Sequence, residues 1–299
     1  MSAAEAAPSA RPVMRDVSIL IKTFERPQCL ERLLASIGRA EWQGPVWIGD
    51  DSRRPYRDLI LSRFGELVTD YLCLPFDSGL SAGRNRLLER VTTPFFLLCD
   101  DDFVFDRRTD VGRMRELLLA NGLDLIGGVY YDRLHPCRRE AARALLRLDW
   151  WRLLLRLGIE IPRKTYFNFE PSGENRWRLS DIPYTPPVVR CDFAGNFFLA
   201  RTRRLVEAVG GWDNALKNGE HQDFFFRMKR AGLSVGHTEA AGVVHLMEGS
   251  PDYFRFRERG YAMRPKMFSG PTRAQRLRRA LETWRRLLGD SKNEVRDSK

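Results

Sequence analysis

Two acidic runs stand directly after apolar segments, where carboxylates can hold a metal ion or accept a proton. Asp50 and Asp51 follow one strand-like run, and the triplet from Asp100 to Asp102 follows another that begins at Phe95. Because burying several carboxylates at one locus is costly unless a cation compensates, both runs favour a bound cation. A hard divalent ion that also contacts the phosphates of a nucleotide fits them best.

These carboxylates need a scaffold that brings them to one edge. Strand-like and helix-like runs alternate from residue 16 to about residue 125, which is typical of a parallel sheet with crossover helices. In open sheets of this kind, ligands bind at the carboxyl ends of the strands. We therefore predict an α/β fold with a mostly parallel, Rossmann-like central sheet and helices on both faces.

The predicted elements follow from periodicity and from turn residues. The predicted strands are 17–24, 45–51, 71–76, 94–99, 123–131, 191–200 and 243–246. Four predicted helices begin at Pro27, Ser81, Val111 and Gly219, and the last of these ends at Gly232. A fifth predicted helix follows Thr202, which is its expected N-cap.

Three segments depart from this alternation. Residues 1–15 are predicted to be a disordered tail, and residues 251–299 a basic helical extension around an Arg-rich amphipathic helix at 272–288. Between them, residues 16–250 form the predicted catalytic domain. Within it, 132–190 is predicted to be an insertion that combines a basic helical stretch with a Pro-rich, aromatic segment.

Composition narrows the class of protein. The net charge of +11 over 299 residues implies anionic partners, such as phosphates, nucleic acid or acidic lipid. The five cysteines show no zinc or disulfide spacing, which indicates ordinary thiols in a reducing cytoplasm. No apolar run approaches the ~18 residues of a spanning helix, so we expect a cytoplasmic protein, at most peripheral on an anionic membrane.

A set of motifs in fixed order resembles the family 2-like glycosyltransferases of the GT-A fold, and within them the β1,4-N-acetylgalactosaminyltransferases that build gangliosides. The resemblance covers roughly residues 17–246. The motifs are Ile21-Lys-Thr-Phe-Glu-Arg-Pro27, Gly49-Asp-Asp-Ser52, Ser81-Ala-Gly-Arg-Asn85, Val91-Thr-Thr-Pro-Phe-Phe-Leu-Leu-Cys-Asp-Asp-Asp-Phe-Val-Phe105, Asn196-Phe-Phe-Leu-Ala-Arg-Thr202 and the run from His221 to Arg230.

The resemblance implies a donor site for a UDP-sugar. The residues expected to border the nucleotide, the diphosphate or the donor sugar are Thr23, Glu25, Arg26, Asp50, Asp51, Gly83, Arg84, Asn85, Asp100, Asp101, Gly195 and Asn196. Asp51 is expected on the uracil or ribose. Apart from the resemblance, Gly195 and Asn196 predict a turn at which the backbone approaches the donor sugar, because glycine tolerates such close contact.

The resemblance also implies a metal ion, Mn²⁺ or Mg²⁺. Its expected ligands are Asp102 and Asp100 of the Asp-x-Asp element, together with His245, which matches the histidine that completes the metal shell in many such enzymes.

The acceptor-side motif departs from the family pattern. Members commonly carry Gly-Glu-Asp-x-Asp, whereas this chain has Gly219-Glu-His-Gln-Asp223. An inverting transfer needs a group within hydrogen-bond reach of the acceptor hydroxyl to take its proton. Glu220, His221 and Asp223 are all chemically competent; His221 and Asp223 are the leading candidates, with Glu220 next.

The resulting hypothesis is a metal-dependent inverting glycosyltransferase. It would move N-acetylgalactosamine or a related hexose from a UDP-sugar to a glycan or lipid-linked acceptor, with the insertion facing that acceptor and no nucleic acid as partner. One alternative is a sugar-1-phosphate nucleotidyltransferase, although that class carries a Gly-rich loop after its first strand. Others are a nucleic-acid-binding protein, which leaves the acidic strand ends unexplained, and a binding module that has lost catalysis.

Overall fold

The computed structural model of the chain describes residues 14–134, 145, 149–173, 176–217, 219–250, 252–256 and 268–269. Most of the predicted N-terminal tail, much of the basic stretch after residue 137 and the predicted helix at 272–288 lie outside these ranges. Among the residues that the structure describes, no helix combines the length and apolar character needed to cross a membrane.

The strands and helices alternate through the first half of the chain. The strands are β1 Val17–Thr23, β2 Val46–Asp50, β3 Asp70–Cys73, β4 Phe95–Asp100, β5 Phe103–Val104, β6 Leu125–Arg133, β7 Ile161–Arg163, β8 Asn168–Gly173, β9 Arg176–Ser180, β10 Val189–Cys191, β11 Phe198–Arg201, β12 Val235–Leu246 and β13 Phe268–Ser269. The helices are α1 Pro27–Arg39, α2 Arg57–Phe64, α3 Leu80–Leu88, α4 Val111–Ala120, α5 Trp150–Arg156, α6 Thr202–Val209 and α7 Glu220–Arg230.

The main sheet has the strand order β10-β12-β6-β11-β4-β1-β2-β3. Strands β1 to β4 run parallel, and β6 and β12 run in the same direction, because β11 lies antiparallel to both β4 and β6. The short strands β5 and β7 pair antiparallel with β12 and β6. The predicted mostly parallel α/β sheet is confirmed, and β8, β9 and β13 form a separate small sheet.

The main sheet is covered on both faces, so its central strands are apolar on both sides. Along β1, Ile19 and Ile21 pack into one core, whereas Leu20 packs into the other. Side chains alternate between the faces of a strand, so Lys22 continues the face of Leu20, and Asp100 continues the same face at the end of β4. Helices α3 and α7 contribute to the core on this face, which brings their polar side chains to Lys22 and Asp100.

Three local features differ from what the sequence predicted. The predicted strand at 191–200 is two strands, because β10 ends at Cys191 beside β12, whereas β11 begins at Phe198 between β4 and β6. Gly195 lies in the connection, where a Cβ would come within 2.6 Å of the Tyr130 hydroxyl. Thr202 is the first residue of α6, and Arg201 is its N-cap. Helix α2 was not predicted from the sequence, since Ile60 is its one buried residue and its pattern is weakly amphipathic.

Candidate active site

A cavity of about 300 Å³ opens at the carboxyl ends of β1, β2 and β4 and at the start of α7. This is the place where an open α/β sheet binds its ligands. Its polar lining consists of Lys22, Thr23, Arg26, Asp51, Asp77, Arg84, Asp100, Asp101, Asp102, Asn196, Lys217, Glu220, His221 and His245. Phe24, Tyr253 and Phe256 provide aromatic surface along the same cavity.

Arg26 holds the second and third aspartates of the triplet. Its guanidinium pairs with Asp101 and donates to Asp102 Oδ2 at 2.8 Å, and it lies 3.8 Å from the centre of the Tyr253 ring. Thr23 donates to Asp101 Oδ2 at 2.7 Å. Burial raises the pKa of Asp101 to about 6, although Arg26 acts in the opposite direction. These contacts compensate buried charge that would otherwise be costly.

Asp100 is held by different partners. Arg84 donates to its Oδ1 at 2.9 Å, and Asn196 donates to its Oδ2 at 2.7 Å. Both oxygens of Asp100 are therefore engaged by protein groups. The prediction that Asp100 is a metal ligand stays a prediction, and these contacts argue for a positioning role instead.

His245 lies between two carboxylates. Its Nδ1 is 2.7 Å from Asp132 Oδ1, and its Nε2 is 3.6 Å from Asp102 Oδ2. Burial lowers the pKa of His245, but Asp102 and Asp132 outweigh that effect and raise it to about 9. Without a metal ion, the imidazole is therefore a cation at neutral pH.

The donor atoms of Asp102 and His245 suit a divalent cation. Within the described part of the chain, no group of three or more His, Cys, Asp or Glu side chains is placed to hold a metal ion. Asp102 Oδ1 is nevertheless buried, with no hydrogen-bond partner among the described residues, beside the imidazole. One carboxylate and one imidazole fit an ion whose other ligands are water and substrate phosphates.

The start of α7 supplies the candidate proton acceptors. Glu220 is 1% exposed; its Oε1 accepts from Arg84 at 2.7 Å and lies 3.1 Å from His221 Nε2. Burial raises the pKa of Glu220, but His221 and Arg84 together lower it below its usual value, so the group is ionised. Asp223 accepts from Arg227 at 2.8 Å and is not among the cavity-lining residues.

Other predicted site residues also lie outside the described cavity lining. They are Glu25, Asp50, Gly83, Asn85 and Gly195. Glu25 accepts from the backbone of Arg53 at 2.9 Å, and Asp50 accepts from the backbone of Ser52 at 2.8 Å and of Tyr56 at 3.0 Å. Both carboxylates therefore stabilise the loop after β2, which the sequence could not separate from ligand binding.

Asn85 fixes a loop. Its side chain donates to Trp212 O at 2.7 Å and accepts from Trp212 N at 2.8 Å. Gly211 comes so close that a Cβ there would lie 2.4 Å from Asn85 Oδ1. Trp212 itself is buried and stacks on Phe224 with ring centres 4.7 Å apart, so it packs in the core.

Lys22 is a cavity residue that the sequence did not single out. Its buried ammonium pairs with Asp51 and donates to Thr23 O at 2.8 Å, and burial lowers its pKa. Asp51 also accepts from Gly79 N at 2.8 Å. The absence of a side chain at Gly83 makes room for the lysine, since a Cβ there would come within 2.3 Å of Lys22 Cε.

The Gly83→Ala substitution is expected to lower the free energy of unfolding by about 1–3 kcal/mol, because the buried Lys22 stem must move. The gain in helix propensity, about 1 kcal/mol, offsets only part of this cost. Gly38→Ala in α1 is the matched control, since a Cβ there meets nothing within 4 Å and should be neutral or stabilising. Urea denaturation measures both; equal midpoints for the two variants would contradict this role of Gly83.

Comparison with known proteins identifies the family. The family model described as glycosyl transferase family 2 matches residues 18–172, which is more than half of the chain. The chain belongs to glycosyl transferase family 2. The predictions of this family, and of a glycosyltransferase, are confirmed.

Relatives of this family 2 glycosyltransferase include two curated enzymes. Human beta-1,4 N-acetylgalactosaminyltransferase 1 is 35% identical over 82% of this chain and 43% of its own length. Mouse beta-1,4 N-acetylgalactosaminyltransferase 2 is 35% identical over 72% of this chain and 36% of its own length. The chain thus spans less than half the length of these curated relatives.

Solved structures share the fold of this family 2 glycosyltransferase at low identity. A crystal structure of GalNAc-T7 with UDP, GalNAc and Mn²⁺ matches with a TM-score of 0.57 and 14% identity, over 81% of this chain and 47% of that one. S. aureus TarS matches with a TM-score of 0.51 and 16% identity, over 80% of this chain and 37% of that one. These matches show the fold, and the GT-A prediction is confirmed.

Proposed function

We propose that this family 2 enzyme transfers N-acetylgalactosamine or a related hexose from a UDP-sugar to a hydroxyl of a glycan or glycolipid, with inversion at the anomeric carbon. The names of the 35% identical relatives support this sugar. The structural neighbour crystallised with UDP, GalNAc and Mn²⁺ supports this donor class and a divalent ion.

The observation that carries the proposal is that one cavity contains both candidate metal ligands and candidate proton acceptors. The acidic triplet and His245 line this cavity, and so does the pair of Glu220 and His221. The first group suits a nucleoside diphosphate with its cation, and the second suits deprotonation of an attacking hydroxyl. A transfer enzyme needs both within reach of one anomeric carbon.

Asp102 and His245 are the residues that would hold the metal ion. When bound, the ion would stabilise the negative charge that develops on the departing diphosphate. Arg26 keeps the adjacent Asp101 and Asp102 oriented, and its own charge favours an anionic leaving group. Asp100 remains engaged by Arg84 and Asn196 and shapes the donor side of the cavity.

His221 is the general base of this proposal. A carboxylate can only accept hydrogen bonds, so the 3.1 Å contact with Glu220 assigns the Nε2 proton to that bond. This leaves Nδ1 as the basic nitrogen; that atom is buried in the structure, whereas the ring as a whole lines the cavity, and we assign to the imidazole the proton of the acceptor hydroxyl. The ionised Glu220 stabilises the imidazolium that forms, as a carboxylate behind a catalytic histidine does.

Membership of glycosyl transferase family 2 argues against the nucleotidyltransferase alternative. A nucleotide-sugar with its cation would account for the acidic strand ends, and the prediction that nucleic acid is not a partner stays a prediction. The acceptor, the role of the insertion and contact with an anionic membrane stay predictions. The basic helix at 272–288, on which the membrane prediction partly rests, lies outside the described residues. A module that has lost catalysis is separated from an enzyme by measuring UDP release with sugar transfer.

The proposal is tested by thermal unfolding against a panel of UDP-sugars with Mn²⁺. At a free concentration of 100 times its Kd, a ligand stabilises the folded state by about 2.7 kcal/mol. One UDP-sugar should therefore raise Tm by several degrees. Asp102→Ala should abolish the Mn²⁺-dependent part of that shift. If no UDP-sugar shifts Tm, or if Asp102→Ala shifts it as the wild type does, the donor site is assigned wrongly.

A further inference from the structure

We propose that Asp132 is a positioning residue for the metal site, acting through His245. It fixes which nitrogen of the imidazole carries a proton and where the other nitrogen lies. This inference rests on the proposed function, in which His245 is a metal ligand. No sequence motif pointed to Asp132, because it lies at the end of β6, and β12 with His245 follows more than 100 residues later.

The sheet itself creates the pair. Strands β6 and β12 run parallel, and their register places Asp132 directly beside His245. Asp132 is 1% exposed, and a carboxylate buried to that degree requires compensating donors. Among the described residues, His245 supplies one, with Nδ1 2.7 Å from its Oδ1, and Arg163 on the adjoining strand β7 adds a longer ion pair, with Nε 3.7 Å from its Oδ2. The carboxylate is thereby held from both sides.

The contact decides the chemistry of the ring. Because an ionised carboxylate only accepts, the proton of this bond belongs to Nδ1. Nε2 is then the nitrogen that can offer a lone pair to a cation, and it is also the nitrogen that faces Asp102, 3.6 Å from its Oδ2. In metal sites, a carboxylate on the far nitrogen of a histidine fixes the tautomer and increases the basicity of the ligating nitrogen.

Packing does not replace this function of Asp132. The rings of Phe103 and Tyr130 contact the imidazole, with ring centres 5.6 and 5.8 Å away. These apolar contacts limit the tilt of the ring, but they do not distinguish a nitrogen from a carbon. The hydrogen bond to Asp132 does, so it selects one of two ring orientations that packing alone would tolerate.

The test measures Mn²⁺ affinity directly, by electron paramagnetic resonance of free Mn²⁺ in the presence of UDP. Asp132→Asn and Asp132→Leu should raise the Kd for Mn²⁺ by about 10–100-fold. In the transfer reaction, the half-saturating Mn²⁺ concentration should rise by the same factor, while kcat at saturating Mn²⁺ stays near the wild-type value. A loss of folded protein would lower kcat at every Mn²⁺ concentration.

Asp124→Asn is the matched control. Asp124 precedes the other end of β6 and also ties it to the β12 region, since it accepts from Ser234 N at 2.8 Å. This variant removes a carboxylate that bridges the same strands, and it should leave the Kd for Mn²⁺ unchanged. An equal loss of Mn²⁺ affinity in Asp124→Asn would overturn the inference, because strand pairing would then explain the effect.

His245→Ala and Asp102→Ala test the metal site itself, separately from the role of Asp132. If neither variant weakens Mn²⁺ binding, the metal site of the proposed function is wrong. If both weaken it and the Asp132 variants do not, only the role of Asp132 is overturned. The role is also overturned if saturating Mn²⁺ fails to restore kcat in Asp132→Asn.

Discussion

Replacing His221 with alanine is expected to lower kcat for sugar transfer by about 10²–10⁴-fold, the usual contribution of a positioned general base. The Kd of the UDP-sugar should change little, because the residues that hold the acidic triplet, Arg26 and Arg84, remain in place. Rapid-quench or steady-state transfer assays give kcat, and isothermal titration with Mn²⁺ gives the Kd.

Asp223→Asn is the control for this prediction. Asp223 lies on the same first turn of α7, but its carboxylate is bonded to Arg227. The variant should retain kcat within a few-fold of the wild-type value, and the first turn of α7 should become somewhat less stable. A large loss of kcat in Asp223→Asn together with an active His221→Ala would transfer the role of base to Asp223, the other leading candidate from the sequence.

The acidic ends of β2 and β4 show what the sequence could predict. An apolar run followed by aspartates indicates a buried strand and also the position of its carboxyl end. Both features could be predicted because they depend only on neighbouring residues in the chain. The same holds for α7, because Gly219 is its N-cap and Gly232, with a positive φ, lies just beyond its C-cap. The cavity lies where these local signals placed it.

The contacts inside the site depend on strand order, which the pattern did not reveal. Lys22 meets Asp51 because β1 and β2 are neighbours, and Asp132 meets His245 because β6 and β12 are. A buried lysine in an apolar strand and an aspartate after two tyrosines carry no signal of their own. Their partners become apparent only when distant strands are placed side by side.

Neighbours in one motif also proved to serve different purposes. Gly83, Arg84 and Asn85 are consecutive, yet only Arg84 lines the cavity; Gly83 accommodates Lys22 and Asn85 holds the loop at Trp212. On a helix, consecutive residues point in directions about 100° apart, so a three-residue motif cannot present all its side chains to one ligand. The motif therefore combines a site residue with structural residues that support its surroundings.

Arg84→Met is expected to lower the free energy of unfolding by about 3–5 kcal/mol, the usual cost of leaving a buried charge without its partner. The guanidinium of Arg84 is almost fully buried and is bonded to both Asp100 and Glu220. Methionine fills much of the same volume but offers no donor. Urea denaturation measures the loss, and Arg203→Met provides the control, because the side chain of Arg203 is 90% exposed and solvent screens its pair with Glu207.

The double variant Arg84→Met/Glu220→Gln distinguishes charge from packing. Glutamine removes the buried negative charge, so the double variant should be more stable than Arg84→Met alone. If it is not, lost packing rather than unpaired charge explains the single variant. Both variants should also lose transfer activity even where they are folded, because Arg84 is bonded to both the Asp-x-Asp aspartate, Asp100, and the glutamate behind His221. Donor side and proton acceptor would then depend on a single arginine for their relative placement.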